Sequence, residues 1–385
     1  MISLRDKTNL LVYPYDIEFT PILRHKWLLD GYEIKALVSP SGWGLDGSDA
    51  GEADHGSNTG ITVTSDFNGM LEHCDAVMFV DTYLKSDFDS IIYPKFEMAI
   101  NAGKNIVCLI ELDGSKKKCI EKKCKENSLE FKYCRIKDSF NFEESNRIMV
   151  LLDGEDERIT EIVVPVIFVA GLMERMQKFE IQLFLREYLI NRGYKISQIG
   201  SRQYCEILGF HSFPDFMFCN TLPETKKILL FNRFVKGIEQ NENPDVIIIG
   251  IPGGTGIYDK TVTNKFGIIA YEVSSALTPD ASVLSIPYGN LTPESLQILR
   301  LSAKFKFGFE PDCYNIVNAR IDSQDSKILN KVMLNWFDAK AIKGLLNYNV
   351  LGNGIFNILC DEDGNSMANF IVDKLSAHSE IEYIK

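Results

Sequence analysis

Short apolar runs alternate with amphipathic segments over the first 135 residues. The run at 10–13 is wholly apolar, which is typical of a strand buried on both faces of a sheet. Thr20 and Pro21 then favour a helix start, and Gly31 favours a helix end. Further strands are predicted at 33–38, 75–80 and 105–109. This alternation predicts a parallel sheet with crossover helices, and therefore a Rossmann-like N-terminal domain over 1–145.

The same alternation begins again after a polar, acidic segment at 141–158, where we place the domain junction. A strand is predicted to end at Gly171, and an amphipathic helix over 174–192 is closed by Gly193. More strands are predicted at 195–199, 245–250 and 281–286. The fold class is therefore α/β, with two successive Rossmann-like domains that have mostly parallel sheets. The second is predicted over 158–330, and 331–385 is predicted to be a C-terminal extension that packs on it.

Composition narrows the classes of function. The chain has 385 residues, enough for two domains, and its net charge of −12 argues against nucleic acid as a partner. No apolar run approaches the roughly 20 residues needed to span a bilayer, and the N-terminus lacks the apolar core of a signal peptide. The nine cysteines are scattered, as is typical of reduced thiols. We therefore expect a cytoplasmic protein.

The segment 39–60 is long, rich in glycine and acidic, with one tryptophan and one histidine. Loops of this length inside compact domains are usually functional or disordered. Two interpretations stay open, a mobile surface loop and a lid over a crevice between the domains. Asp46, Asp49, Asp54 and His55 have side chains of metal-ligating type, but their spacing selects no ion, so no metal is predicted.

A strand, a turn and a helix are predicted around Gly171 and Lys178, in the layout of a phosphate-binding loop. In such a loop, backbone N–H groups and the helix N-terminus hold the phosphates, and the lysine reaches the outer ones. Three features differ from that pattern. Gln177 stands where a glycine lets the backbone approach phosphate, Phe179 stands where Ser or Thr holds magnesium, and 173–176 contains no glycine. The Walker A motif is therefore degenerate, and a chance lysine on an unrelated turn is the alternative interpretation.

The segments 186–200 and 244–254 resemble P-loop domains of the dethiobiotin synthetase type. They are more similar still to a two-domain family that includes D-glutamate N-acetyltransferases, in which a Rossmann-like domain precedes such a P-loop domain. In those relatives the strand matching 246–250 ends in Glu, whereas this chain has Gly250. The resemblance implies a degenerate P-loop NTPase-like domain; it assigns no cofactor, and a nucleotide or another phosphorylated ligand is the class of ligand left open. The cofactor-binding residues it predicts are Gly171, Lys178, Gly253 and Gly254.

A second resemblance covers nearly the whole chain. The segments that resemble the clostridial peptide maturation system proteins are 13–25, 193–200, 209–214 and 245–254. Members of that family are encoded beside a radical-SAM maturase of small Cys-rich peptides. The resemblance implies a role in building a ribosomally made, modified peptide, with the precursor peptide, the maturase or a carrier-like protein as partner. It implies no particular reaction.

Two functions follow as hypotheses. The first is an accessory protein, a P-loop-derived scaffold that binds the precursor peptide or the maturase without ordinary nucleotide hydrolysis. The second is an enzyme that binds a nucleotide or acyl-CoA at the turn 171–178 and activates a carboxylate or transfers an acyl group. His211, in an aromatic-rich turn, is a further candidate for acid–base work. Pairing into a homodimer is expected by analogy with P-loop relatives.

Overall fold

A computed structural model describes residues 7–83, 87–135, 158–257, 263–289, 291–329, 332–346, 351 and 354–379. The chain divides into two compact units. One comprises Met1–Arg135 with Glu206–Gly209, and the other Ile136–Cys205 with Phe210–Lys385. The predicted junction at 141–158 lies outside the described residues except for Arg158. The domain boundaries proposed from the sequence stay predictions.

The first unit is built on a parallel six-stranded sheet. Its strands are β1 (Thr8–Tyr13), β2 (Tyr32–Val38), β3 (Val63–Thr64), β4 (Ala76–Phe79), β5 (Asn105–Cys108) and β6 (Phe131–Tyr133), in the order β3-β2-β1-β4-β5-β6. Its helices are α1 (Thr20–Arg24), α2 (Phe67–Leu71), α3 (Tyr93–Asn101) and α4 (Gly114–Glu126). The strand order reverses direction between β1 and β4, as in doubly wound folds.

The glycine-rich segment 39–60 is held to this unit by specific contacts. The Tyr15 hydroxyl donates to the Ala50 carbonyl oxygen at 2.8 Å. The Arg24 guanidinium makes two hydrogen bonds to the Asp54 carboxylate, at 2.7 and 2.6 Å. Asp49 accepts from the N–H groups of Gly51 and Thr59. Burial alone would raise the pKa of Asp49, but these bonds outweigh it and lower the pKa. Two of the carboxylates considered as metal ligands are therefore engaged in holding the loop.

The second unit has a parallel six-stranded sheet of its own. Its strands are β7 (Val166–Gly171), β8 (Ile196–Ile199), β9 (Val246–Gly250), β10 (Ala281–Pro287), β11 (Cys313–Val317) and β14 (Ile355–Phe356), in the order β14-β11-β10-β7-β9-β8. β12 (Ala319–Ile321) and β13 (Leu334–Trp336) form a separate antiparallel pair. The helices are α5 (Lys178–Ile190), α6 (Glu224–Glu242), α7 (Ile268–Ala276), α8 (Pro293–Phe307), α9 (Ser323–Leu329), α10 (Ala339–Leu345) and α11 (Asp361–Ser379).

Two apolar cores cover the two faces of this second sheet, so its central strand is buried on both sides. All six residues of β7 are buried. One core packs Phe168 with residues of α6, α7 and α8, and the other packs Val169 with residues of α5 and α11. The edge strand β14 and the helix α11 come from the segment 331–385, so that segment takes part in the second sheet and its core. The predicted α/β fold with two mostly parallel sheets is confirmed.

Candidate functional site

The strand, turn and helix predicted around Gly171 and Lys178 are present. β7 ends at Gly171, and α5 begins at Lys178. Within the turn, Arg175 and Gln177 have φ angles of 62° and 53°. That left-handed region suits glycine and costs other residues roughly 1 kcal/mol or more. The turn therefore has left-handed backbone at a position where the P-loop pattern has glycine, although the residue there is Gln177.

Buried amides hold the Gln177 side chain. Its Nε2 donates to Asn318 Oδ1 at 2.6 Å, and its Oε1 accepts from Asn315 Nδ2 at 3.4 Å. Both asparagines are fully buried, and Asn318 Nδ2 donates onward to the Phe337 carbonyl oxygen at 2.7 Å. A connected buried network of this kind stabilises one conformation strongly. It provides a physical reason for the strained backbone at Gln177.

The Lys178 ammonium is directed to the protein itself. The side chain is only 7% exposed, and its Nζ donates to the Gly253 carbonyl oxygen. Burial lowers the pKa of Lys178 to about 8, although the nearby Glu174 carboxylate acts in the opposite direction. Near neutral pH the neutral form of this lysine is therefore more populated than that of an exposed lysine. Its hydrogen bond goes to a backbone carbonyl oxygen.

The position after the lysine has no magnesium-ligand chemistry. Phe179 is 4% exposed, and the Arg202 guanidinium lies 4.5 Å from the centre of its ring. This cation–π contact joins α5 to the segment after β8. A phenyl ring supplies no oxygen to a hard cation such as Mg²⁺.

Gln182 fills the space beside Gly250. A Cβ atom built on Gly250 would lie 2.0 Å from Oε1 of Gln182, so a side chain cannot be added without displacing that amide. Gln182 is fully buried, and its Nε2 donates to the Lys178 carbonyl oxygen at 2.9 Å and to Ser201 Oγ at 3.1 Å. The absence of the acidic residue expected from the relatives is therefore matched by a glutamine that occupies its surroundings. The sequence offered no signal for Gln182, because one buried glutamine in a helix has no distinctive spacing.

The two glycines after β9 meet the turn closely. Gly253 has a φ of 73°, which is the left-handed region. A Cβ atom on Gly254 would lie 1.8 Å from Nδ2 of Asn264, which donates to the Leu172 and Gly256 carbonyl oxygens at 3.1 and 2.9 Å. Gly171 joins the same cluster, since its carbonyl oxygen accepts from the Thr255 N–H at 3.0 Å. The structure thus brings together Gly171, Lys178, Gly253 and Gly254, while their role in cofactor binding stays a prediction.

Buried apolar side chains fix the turn 171–178 to the rest of the second unit. Met173 and Met176 are almost completely buried, and they pack with Val317, Ala319 and Leu334. The strand pair β12–β13 thus supplies part of the support for the turn. The two methionines of the glycine-free stretch 173–176 thus belong to a small apolar core beneath the turn.

An open depression with a volume of about 90 Å³ adjoins the cluster. Its walls include the Gly253–Gly254 turn and the first residues of α7, and Lys178 is not among the lining residues. The lining residues are Glu174, Phe218, Pro252, Gly253, Gly254, Asn264, Lys265, Gly267, Ile268 and Ile269. The depression therefore lies beside the turn 171–178, next to the N-terminus of α7.

His211 lies in a different polar cluster. Its Nε2 is 2.5 Å from Oε1 of Glu242, and the Ser197 hydroxyl donates to the other oxygen of that carboxylate. Burial would raise the pKa of Glu242, but the bonds from Ser197 and His211 outweigh it and lower the pKa. The carboxylate separates the serine from the imidazole, so this arrangement lacks the serine–histidine contact that activates a nucleophile.

Metal-binding clusters and membrane-spanning helices are both absent from the described part of the chain. In those residues no group of three or more His, Cys, Asp or Glu side chains is arranged to hold a metal ion. Among the described helices, none combines the length and the apolar character that crossing a bilayer requires.

Comparisons with solved structures give similarity at the level of the fold. A DUF1611 family protein from Anabaena variabilis is 12% identical, with a TM-score of 0.61, and the match covers 96% of this chain and 100% of that one. A nucleotide-binding protein from Archaeoglobus fulgidus, in complex with ADP, is 12% identical over 60% of this chain and 92% of its own, with a TM-score of 0.29. A signal recognition particle protein from Aeropyrum pernix, in complex with GDP, is 12% identical over 59% and 54%, with a TM-score of 0.23.

Scores as low as the last two support no argument about nucleotide binding. No protein-family model and no curated protein matches the sequence. The resemblance to clostridial peptide maturation proteins therefore has no further support at the level of sequence. The chain shares its overall fold with the DUF1611 family protein.

Proposed function

We propose that this protein is an accessory factor in the maturation of a ribosomally made peptide, and that its second unit is a P-loop-derived scaffold that binds a partner without ordinary nucleotide hydrolysis. The partner is the precursor peptide, the radical-SAM maturase or a carrier-like protein. One observation supports the absence of hydrolysis most directly. The lysine that would reach phosphate is buried and donates to the carbonyl oxygen of Gly253.

Phosphoryl transfer depends almost wholly on positioning and on charge stabilisation. Three groups that normally provide these are replaced in this chain. Gln177 takes the place of the glycine that lets phosphate approach, Phe179 the place of the magnesium-binding hydroxyl, and Gln182 fills the space beside Gly250. Together these replacements argue against magnesium-dependent hydrolysis more strongly than any one of them does.

The assignment to peptide maturation rests on the sequence resemblance in the segments 13–25, 193–200, 209–214 and 245–254. It is tested by expressing the tagged protein together with the genes that neighbour its own, followed by affinity purification. Mass spectrometry of the captured peptide then reports its modification state. Capture of the precursor, the maturase or the carrier-like protein supports the proposal, and absence of all three from the purified material contradicts it.

The scaffold part of the proposal has a separate test. Purified protein is assayed for release of phosphate from ATP and GTP with Mg²⁺, beside the variant Lys178→Met. We expect no activity that depends on Lys178. A rate that the substitution abolishes would show that the turn is a working hydrolytic site, and the scaffold proposal would then be wrong.

The second candidate is an enzyme that uses a nucleotide or acyl-CoA at the turn 171–178. It is favoured by Lys178, because a buried lysine with a pKa of about 8 is partly neutral near physiological pH. Calorimetric titration with ATP, GTP and acetyl-CoA, each with and without Mg²⁺, separates the two candidates. Binding lost in Lys178→Met supports the enzyme, and no heat from any ligand supports the scaffold.

A further inference from the structure

Exposed apolar side chains gather around the depression beside the P-loop-like turn. Phe218 and Ile268 line it, and their exposed fractions are 38% and 45%. Phe266 directly precedes the lining residue Gly267 and is 64% exposed. Tyr271 follows Ile268 by three residues in α7, on the same face of the helix, and is 51% exposed. Single exposed apolar residues are ordinary, whereas a group of them around a concavity indicates an interaction surface.

An unusual backbone presents one of these side chains. Four consecutive residues, 264–267, have φ angles of 51°, 53°, 58° and 75°, and only the last is glycine. Successive left-handed residues are unfavourable for L-amino acids and persist only where the surroundings enforce them. The Asn264 amide does so here by bonding to the Leu172 and Gly256 carbonyl oxygens. The turn therefore holds Phe266 out toward solvent.

The charges at this surface favour an acidic partner. Lys265 lines the depression, and Lys306 Nζ lies 3.4 Å from the position of a Cβ atom built on the neighbouring Gly256. The N-terminus of α7, which begins at Ile268, adds the partial positive charge of a helix end. Glu174 is the carboxylate among the lining residues. Glu174 and Lys265 balance each other within the lining, so the positive charge beside the depression comes from Lys306 and the start of α7, in a chain whose net charge is −12.

We propose that the rim formed by Phe218, Lys265, Phe266, Ile268 and Tyr271 binds an extended peptide segment in which large apolar side chains are flanked by acidic residues. An apolar side chain enters the depression, whose volume of about 90 Å³ is smaller than the roughly 300–1,000 Å³ of small-molecule pockets and suits one side chain of a longer segment. Acidic side chains on either side of it lie against Lys265 and the start of α7. The inference rests on the proposed function, because it names the surface through which a scaffold would hold its peptide.

The test uses fluorescence anisotropy with three labelled synthetic octapeptides and the full-length protein. The first has the sequence Gly-Asp-Glu-Leu-Phe-Asp-Glu-Gly, the second replaces its acidic residues with lysine, and the third replaces Leu-Phe with Ser-Ser. We expect the first peptide to bind about tenfold or more tightly than either of the others. Equal affinities for the three peptides, or no binding of the first, would overturn the proposal.

Variants locate the surface. Phe266→Ser and Ile268→Ser are expected to weaken the first peptide about tenfold, and Lys265→Glu is expected to reverse the preference between the acidic and basic peptides. The matched control is Phe305→Ser on α8, a phenylalanine that is 81% exposed and does not line the depression, and it should change nothing. Circular dichroism and thermal melting confirm that each variant is folded. An effect of Phe305→Ser as large as that of Phe266→Ser would contradict the assignment.

Sedimentation velocity tests a competing occupant. A dimer that Phe266→Ser converts to a monomer would show that the surface binds a second copy, and the peptide proposal would be wrong.

The co-purification with neighbouring gene products distinguishes failure of the proposed surface from failure of the proposed function. If Phe266→Ser still captures the precursor peptide, this surface is wrong while the proposed function stands. If the wild-type protein captures nothing yet prefers the acidic apolar probe, the surface stands and the proposed pathway fails.

Discussion

One added methyl group at Gly250 tests whether Gln182 fills the space beside β9. In Gly250→Ala the new Cβ would lie 2.0 Å from Oε1, 2.1 Å from Cδ and 2.3 Å from Nε2 of Gln182, where ordinary contacts begin at 3.4 Å. The amide must therefore move by more than an ångström and leave its partners. These are the Lys178 carbonyl oxygen and the hydroxyl and N–H of Ser201. At about 1 kcal/mol for each of these three hydrogen bonds, of which one is buried and two are partly buried, we expect a loss of about 3 kcal/mol of unfolding free energy.

A double-mutant cycle isolates the pair. Gln182→Ala alone should cost about 2 kcal/mol, because Ser201 loses its buried partner. In Gly250→Ala/Gln182→Ala the overlap is gone, so the double variant should be about 3 kcal/mol more stable than the sum of the single effects predicts. Urea unfolding is followed by the fluorescence of Trp336, which lies in the second unit, after Trp27 and Trp43 of the first unit have been replaced by Phe.

Gly237→Ala in α6 is the matched control. A Cβ there would have no atom within 4 Å, so the substitution should raise stability by about 0.5–1 kcal/mol through helix propensity. Two results would refute the reasoning. One is a neutral Gly250→Ala, and the other is strict additivity of the two single substitutions.

Three further substitutions have expected outcomes. Arg24→Ala should cost about 3 kcal/mol and open the segment 39–60 to limited proteolysis, because it removes the largely buried guanidinium that pairs with the Asp54 carboxylate. Removing both side chains should cost less than the two single effects together, and equal cutting of wild type and variant would contradict this prediction. Lys178 has a folded pKa of about 8 against an ordinary 10.5, so between those values the unfolded chain binds more protons and stability rises with pH. Lys178→Met should remove that rise, on the order of 3 kcal/mol, in urea titrations compared at pH 8 and pH 10.5, and an unchanged slope would contradict it. Asn318→Ala should cost about 2–3 kcal/mol in the same assay, because the Phe337 carbonyl oxygen and the amide of Gln177 lose a buried partner; a neutral effect would contradict the role given to the buried amides.

The alternation of apolar runs was enough to predict the class of fold and most of the central elements. The predicted strands 33–38, 75–80 and 105–109 correspond to β2, β4 and β5 within a residue or two at each end. The predicted helix 174–192 corresponds to α5, whose start at Lys178 lies four residues later. Such elements are recognisable because burial on both faces or along one helical stripe leaves a periodic pattern in the chain itself.

Elements that depend on distant partners were not predicted. β14 has only two residues, and it exists as a strand because β11 offers it an edge. β12 and β13 likewise pair with each other at the edge of the turn's small core. Segments this short contain too few positions for a period to be visible, so long-range pairing defines them.

Some residues of the candidate site could likewise be predicted from the sequence, and others could not. Gly171, Lys178, Gly253 and Gly254 could be named from the sequence, because glycine and lysine at strand ends form a local pattern with a known physical use. Gln182, Asn264 and Asn318 could not be named, since each acts on a residue from another part of the chain. Local chemistry set where the turn would be, whereas packing between remote segments determined that its lysine would be buried against Gly253. The contact joins residues 75 positions apart, and a local pattern of residues does not reveal which remote segments will pack together.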